Sequence, residues 1–242
     1  MLNILPTKEE IIKKAAELFV NVANEAINKK GNFTVALTGG SSPEGLYRLL
    51  SEDQYKKQID WSKVLVFWGD ERWVPLDNEL SNAKMSYDTL LNNVPVLSDN
   101  IFPMYKDGIK PEDFASEYNA LLKEKLGNDG VMDLILLGMG GDGHTASLFP
   151  GTEVLKEQEK WVSAYYLDAQ QMYRITLTAP FLNKARKTVV ITFGEAKADA
   201  LKEVLEGEYN PSLYPSQLLK PSDGELLFLV DEKAAKLLNS NN

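Results

Sequence analysis

The chain has one histidine, His144, and it stands in the run GMGGDGHTASLF, residues 138–149. Imidazole changes charge near neutrality, which makes it the natural general base at physiological pH. Asp142, two residues earlier, is a carboxylate able to fix the tautomer of that ring. Backbone N–H groups from Gly140 to Gly143 could form a nest for developing negative charge. The same residues also suit a different chemistry. Gly138, Gly140 and Gly143 fit the G-x-G-x-x-G spacing that cradles a dinucleotide pyrophosphate. A dinucleotide site further needs an acidic residue about 20 positions on. Asp168, after the next strand-like run, is 25 past Gly143 and fits that poorly.

Three other segments carry candidate chemistry. In TGGSSPEG (38–45), Gly39 and Gly40 let the backbone turn sharply behind Thr38. Ser41 and Ser42 offer hydroxyls and a helix N-cap, and Pro43 suits a first helical turn. Such a turn is either an anion site or simply a well-capped helix start. It lacks the lysine and spacing of a Walker loop. In GDERWVP (69–75), Arg72 presents a planar fork for a carboxylate or phosphate, and Asp70 or Glu71 could orient it or act as a base. A surface ion-pair cluster is the plainer alternative. Arg174 opens RITLT, and Lys197 lies in GEAKADAL. Lys197 falls in the first turn of an expected helix, where the macrodipole disfavours a cation unless an anion is bound. Arg174 has an equally good use as a strand-edge charge.

One histidine and no cysteine leave none of the usual zinc sets, so no metal site is expected. No G-x-S-x-G elbow is present for a serine triad.

These residues need a frame, and the apolar pattern supplies one. Near-continuous apolar runs at 33–37, 64–68, 133–137, 161–166, 174–178, 188–193 and 226–230 read as strands of a parallel sheet covered on both faces. Helical spacing marks 7–29, 43–51, 81–91, 111–126, 195–206 and 231–238, and HTASLF reads as the start of another helix. Thr7 with Glu10 forms a capping box for the first helix. Strand–helix alternation of this kind predicts a single α/β unit over residues 1–242. In such sheets ligands bind beyond the carboxyl ends of the strands, where all four candidate segments fall.

Composition narrows the partners. The net charge is −9, from 26 basic and 35 acidic residues, with no basic run that would suit nucleic acid or an anionic membrane. An anionic small molecule would need a few cations set locally against that acidic background. The opening MLNILPTKEEIIKK lacks the pattern of a secretory signal, and the absence of cysteine suits the cytoplasm.

Taken together, TGGSSP, GDERWVP, GMGGDGHTASLFPGT, RITLT and GEAKADAL resemble the 6-phosphogluconolactonase family, in that family's order and from about residue 30 to about 220. The resemblance implies hydrolysis of 6-phosphoglucono-δ-lactone to 6-phosphogluconate in the oxidative pentose phosphate pathway. It implies a three-layer α/β fold, a modified Rossmann-like arrangement with a mostly parallel sheet, shared with sugar-phosphate isomerases. It also implies no cofactor and a sugar-phosphate lactone as the small-molecule partner; no nucleic-acid or membrane partner is expected, and a monomer or small homo-oligomer is the expected state. By position, His144 would activate water, and Arg72 would be the second essential polar residue. Thr38, Gly39, Gly40, Ser41, Ser42, Arg174 and Lys197 would hold the 6-phosphate. Asp142 is expected to orient His144 on its own spacing, apart from the resemblance, and Asp70 and Gly141 are expected to line the substrate site. The competing branch, glucosamine-6-phosphate deaminase/isomerase, has a glutamate at the position of Phe149 and a tyrosine at that of Arg72.

Overall fold

The computed structural model describes residues 1–239, apart from the side chain of Ser41. In chain order the strands are β1 (Leu2–Leu5), β2 (Phe33–Leu37), β3 (Val64–Trp68), β4 (Asp70–Arg72), β5 (Leu134–Gly138), β6 (Val162–Leu167), β7 (Met172–Leu177), β8 (Lys187–Thr192) and β9 (Glu225–Asp231). The α-helices are α1 (Lys8–Lys30), α2 (Ser41–Ser51), α3 (Asp53–Lys56), α4 (Asn82–Thr89), α5 (Pro111–Leu126), α6 (Ala179–Leu182), α7 (Ala198–Glu206) and α8 (Glu232–Ala235).

The expected parallel sheet is present, with six strands in the order β1-β9-β8-β5-β2-β3. Every residue of β2 is buried, as a strand covered on both faces requires. Helices surround the sheet; α1 packs against β2 and β9. Thr7 caps α1 through its side chain, acidic Glu9 and Glu10 lie in the first turn, and Gly31 closes the helix at φ 85°. Phe19 meets Phe33 edge to face at 5.3 Å and stacks on Trp61 at 6.1 Å, so α1 and β2 share one aromatic core.

Three expectations are corrected. β6 and β7 do not join the parallel sheet; with β4 they form a separate antiparallel sheet in the order β4-β7-β6. The physical reason is the connection. Only the turn at 168–171, with Gln171 at φ 50°, separates β6 from β7, and a parallel crossover needs a dozen residues or more. Second, HTASLF is not helical. It folds as a tight turn with a bridge between Thr145 and Leu148, and Ala146 takes φ 48°. Pro150 follows, and a proline disfavours helical torsions in the residue before it. Third, α2 takes Gly40 as its N-cap, at φ 97° and with no side-chain cap hydrogen bond, instead of a serine.

Away from the carboxyl edge, Asp133 ties β2 to β5. Its buried carboxylate accepts from the backbone N–H and the hydroxyl of Thr34, both at 2.8 Å, and lies 2.8 Å from Lys30 Nζ. Lys30 reaches water on its own, so the cost of losing Asp133 falls on the buried Thr34 donors. Asp133→Ala is expected to destabilise the fold by about 2–4 kcal/mol. Urea unfolding should show a lower midpoint at unchanged slope, with Asp133→Asn, which keeps an acceptor, costing less.

Candidate active site

β2 lies between β3 and β5, so the chain leaves β2 toward one side of the sheet and later returns on the other. This reversal is a topological switch point, the place where open parallel sheets bind ligands. The segments after β2, β3, β5 and β8 all rise from this edge and line a cavity of about 230 Å³. The second sheet closes one side of it with Arg174 and Gln170.

The turn after β5 carries His144. Gly140 donates its N–H to the His144 carbonyl at 2.8 Å, and Gly143, at φ 76°, donates to the Gly140 carbonyl at 3.1 Å. These bonds fold the ring back toward Asp142, whose Oδ1 is 2.5 Å from Nδ1 and 3.1 Å from the backbone nitrogen of His144. Burial pushes the Asp142 carboxyl up, but hydrogen bonding to His144 and its charge outweigh this and hold it at about 2. Asp142 is thus an acceptor at neutrality and Nδ1 its donor, which in the neutral form of the ring leaves the lone pair on Nε2. The imidazole stacks on Phe149 at 4.1 Å and 24°, which fixes its plane. A Cβ on Gly140 would stand 2.1 Å from Nδ1 and 2.4 Å from Asp142 Oδ1, so only glycine admits the pair.

The expected nest from Gly140 to Gly143 is not formed as such, because the Gly140 and Gly143 N–H groups are spent inside the turn. Gly141 and Asp142 are exposed and stand outside the cavity lining, Asp142 reaching the site only through His144.

Two arginines face each other across the second sheet, Arg72 on β4 opposite Arg174 on β7. Like charges in such a pair repel. Arg72 donates from Nη1 to the Leu80 carbonyl at 2.8 Å, and Arg174 hydrogen-bonds the Gln170 side chain and lies 5.6 Å over the Phe149 ring. The Nε of each is buried without a partner. Burial pulls the Arg174 guanidinium below its usual range, Asp70 opposing and Arg72 adding to the shift. Two cations with unused donors on one wall suit an anion with several oxygens. Lys197 lines the same cavity as the last residue of a short 3₁₀ turn and the N-cap of α7, and has no ion pair among the described residues. It stands one residue before the helix expected to contain it.

Thr38, Gly39, Gly40 and Ser42 line the opposite wall; the Ser41 side chain lies outside the described residues. Asp70 is buried beside them and accepts from Ser147 Oγ at 2.6 Å. Glu71 is neither a surface ion-pair partner nor a cavity residue. It is fully buried and accepts from the N–H groups of Arg72, Asn82 and Ala83 and from the Ser81 hydroxyl. Burial still pushes its carboxyl up to about 7 against those bonds. The carboxylate thereby ties β4 to the start of α4, where Asn82 enters the cavity lining. Asn82 donates to the Asp70 carbonyl at 2.9 Å and abuts Gly39, where a Cβ would be 1.7 Å from its Oδ1. Asn82, Ser147 and Gln170 were not singled out in the sequence; each reaches the site through contacts distant in the chain or from a turn with no motif.

A histidine–carboxylate pair and Lys197 at the switch point of a parallel sheet, joined there by two arginines from the antiparallel sheet, define an α/β enzyme with a cation-rich site. The family model for glucosamine-6-phosphate isomerases/6-phosphogluconolactonase matches residues 6–228. A 6-phosphogluconolactonase of Synechocystis sp. is 36% identical over 240 residues, covering 98% of this chain and 97% of that protein. A probable chloroplastic 6-phosphogluconolactonase 3 of Oryza sativa is 38% identical over 98% of this chain and 76% of its own length. Among solved structures, 6-phosphogluconolactonase from Trypanosoma brucei superposes with a TM-score of 0.86 at 26% identity, covering 99% of this chain and 98% of that one. A monomeric glucosamine-6-phosphate deaminase shares the fold, with a TM-score of 0.84 at 21% identity over 98% of this chain and 99% of that one. The chain belongs to the glucosamine-6-phosphate isomerase/6-phosphogluconolactonase family.

Because His144 is the sole histidine, its ring nitrogens give one set of NMR signals. Gly140→Ala is expected to displace the imidazole from Asp142 and shift the Nδ1 resonance, with the far-ultraviolet circular dichroism unchanged. An unmoved Nδ1 signal would show that the turn tolerates the added methyl.

Proposed function

We propose that this protein hydrolyses 6-phosphoglucono-δ-lactone to 6-phosphogluconate, as its lactonase relatives are named for doing. The observation that carries the reading is His144, held by Asp142, in one cavity with Arg72, Arg174 and Lys197. His144 Nε2 takes a proton from water as the water oxygen bonds to the lactone carbonyl carbon. The negative charge that develops on the carbonyl oxygen is met by Arg72, since the glycine turn has little N–H capacity left. On collapse the ring C–O bond breaks, and the proton held by His144 goes to the departing ring oxygen. Asp142 keeps the ring in the Nδ1–H tautomer throughout. The phosphate is held by Arg174, Lys197 and the turn from Thr38 to Ser42, with Asp70 completing the surroundings of the substrate.

Phe149 argues for lactonase over the isomerase branch. Ring opening and proton shuttling in that branch use a glutamate at this position, and here an apolar ring stacks on the histidine instead. Lactone hydrolysis needs a base, a site for the oxyanion and a grip on the phosphate, and no carbon-to-carbon proton transfer. The reading requires no cofactor. We further propose that the whole chain acts as one catalytic unit, in the cytoplasm, as a monomer or small homo-oligomer. Among the described residues no helix is long and apolar enough to cross a membrane.

The test is lactone loss after its generation by glucose-6-phosphate dehydrogenase, corrected for spontaneous hydrolysis. His144→Asn is expected to lower kcat by roughly 10²–10⁴-fold with KM little changed. Wild-type turnover in that variant would refute the mechanism. Lys197→Ala removes binding common to the ground and transition states, so it should raise KM and leave kcat nearly unchanged. If kcat fell at constant KM, Lys197 would not be part of the phosphate grip.

A further inference from the structure

Tyr47, on α2, is fully buried and has no place in the chemistry above. Its hydroxyl accepts the backbone N–H of Thr38 at 2.8 Å and donates to the carbonyl of the same residue at 2.9 Å. The position of Thr38 explains why both bonds are needed. β2 pairs with β3 as far as Leu37, whose carbonyl takes the Gly69 N–H at 2.7 Å. Thr38 is the first residue past that register, it is buried, and it lies outside the ladder pairs that β2 makes with β3 and β5. A phenol offers a donor and an acceptor on one atom, so it can replace a strand neighbour for a single residue. Burial pushes its pKa far up, which keeps the proton that the carbonyl requires. Phenylalanine would fill the same space and make neither bond.

We propose that Tyr47 is the positioning residue of the anion-binding turn, its hydroxyl fixing the Thr38 backbone and so aiming the segment from Thr38 to Gly40 at the substrate phosphate. The proposal rests on the functional reading given above. Asn82 abuts Gly39, leaving no space for a Cβ, so two side chains hold the turn before any ligand arrives. A turn fixed in advance spends little of its binding free energy on ordering. Tyr47 therefore acts on affinity for the phosphate group and leaves the carbonyl chemistry alone.

The test compares Tyr47→Phe with Tyr118→Phe. Tyr118 is an equally buried tyrosine on α5, outside the cavity lining, whose hydroxyl donates to the Phe102 carbonyl at 2.6 Å. Tyr47→Phe should raise KM for the phospholactone and the inhibition constant for inorganic phosphate together, each by roughly tenfold, with kcat within about twofold of wild type. Tyr118→Phe should lower the melting temperature and move neither constant. The proposal fails if folded Tyr47→Phe keeps both wild-type constants, if Tyr118→Phe raises them as much, or if kcat falls at unchanged KM. Should Tyr47→Phe not fold, the wild-type protein decides the matter by ¹⁵N NMR. The Thr38, Gly39 and Gly40 amides must shift on titration with inorganic phosphate, and amides that stay fixed while phosphate inhibits would overturn the assignment. A wild-type protein without lactonase activity would refute the functional reading alone, since the phosphate titration would still report on the turn.

Discussion

Parallel strands all end at the same edge of a sheet, and the site exists because of that constraint. Four strands deliver their following residues to one edge around β2, where the direction of chain progression reverses. None of the segments is a site alone. The turn after β5 brings the imidazole, the turn after β2 brings backbone and hydroxyls, and the segment after β8 brings Lys197. The antiparallel sheet, set against this edge, adds the two arginines that the parallel strands do not provide.

Close packing at the edge depends on missing side chains. Gly39 and Gly140 are occupied in space by Asn82 and by the His144–Asp142 pair, so each glycine is specified by a neighbour's contact. Ala146, at φ 48°, carries a local cost that hydrogen bonds around it offset. Thr145 donates to the Gly138 carbonyl at 2.8 Å, and Ser147 bonds both Thr176 and Asp70. The turn is consequently rigid on either side of the imidazole, which suits a base that must stay aligned with an attacking water.

Much of this was legible in the sequence, for identifiable reasons. Buried parallel strands are short apolar runs, and the runs at 33–37 and 64–68 coincide with β2 and β3. The half-exposed LNIL of β1 has no such pattern and was missed. β4 was missed because DER is a polar triplet; Glu71 is buried there only because donors from Ser81 to Ala83 reach it. The direction of β6 and β7 was readable from the seven residues between the runs at 161–166 and 174–178, too few for a parallel crossover. At the site, residues after strands announced themselves by type. Asn82 did not, because its place is set by Gly39, far away in sequence, and by the carboxylate of Glu71.

The facing arginines also bear on the thermodynamics of the whole chain. Arg72 and Arg174 oppose each other on adjacent strands of a three-stranded sheet, and their mutual repulsion is a standing charge against the folded state. A substrate reached by both arginines, under the proposed reading its carbonyl by Arg72 and its phosphate by Arg174, would bind only when β4 and β7 are paired, so its binding free energy would add to that of folding. Substrate or product in the cell would then act as a chemical chaperone for this sheet, and the protein's resistance to unfolding and proteolysis would follow metabolic flux through its own site.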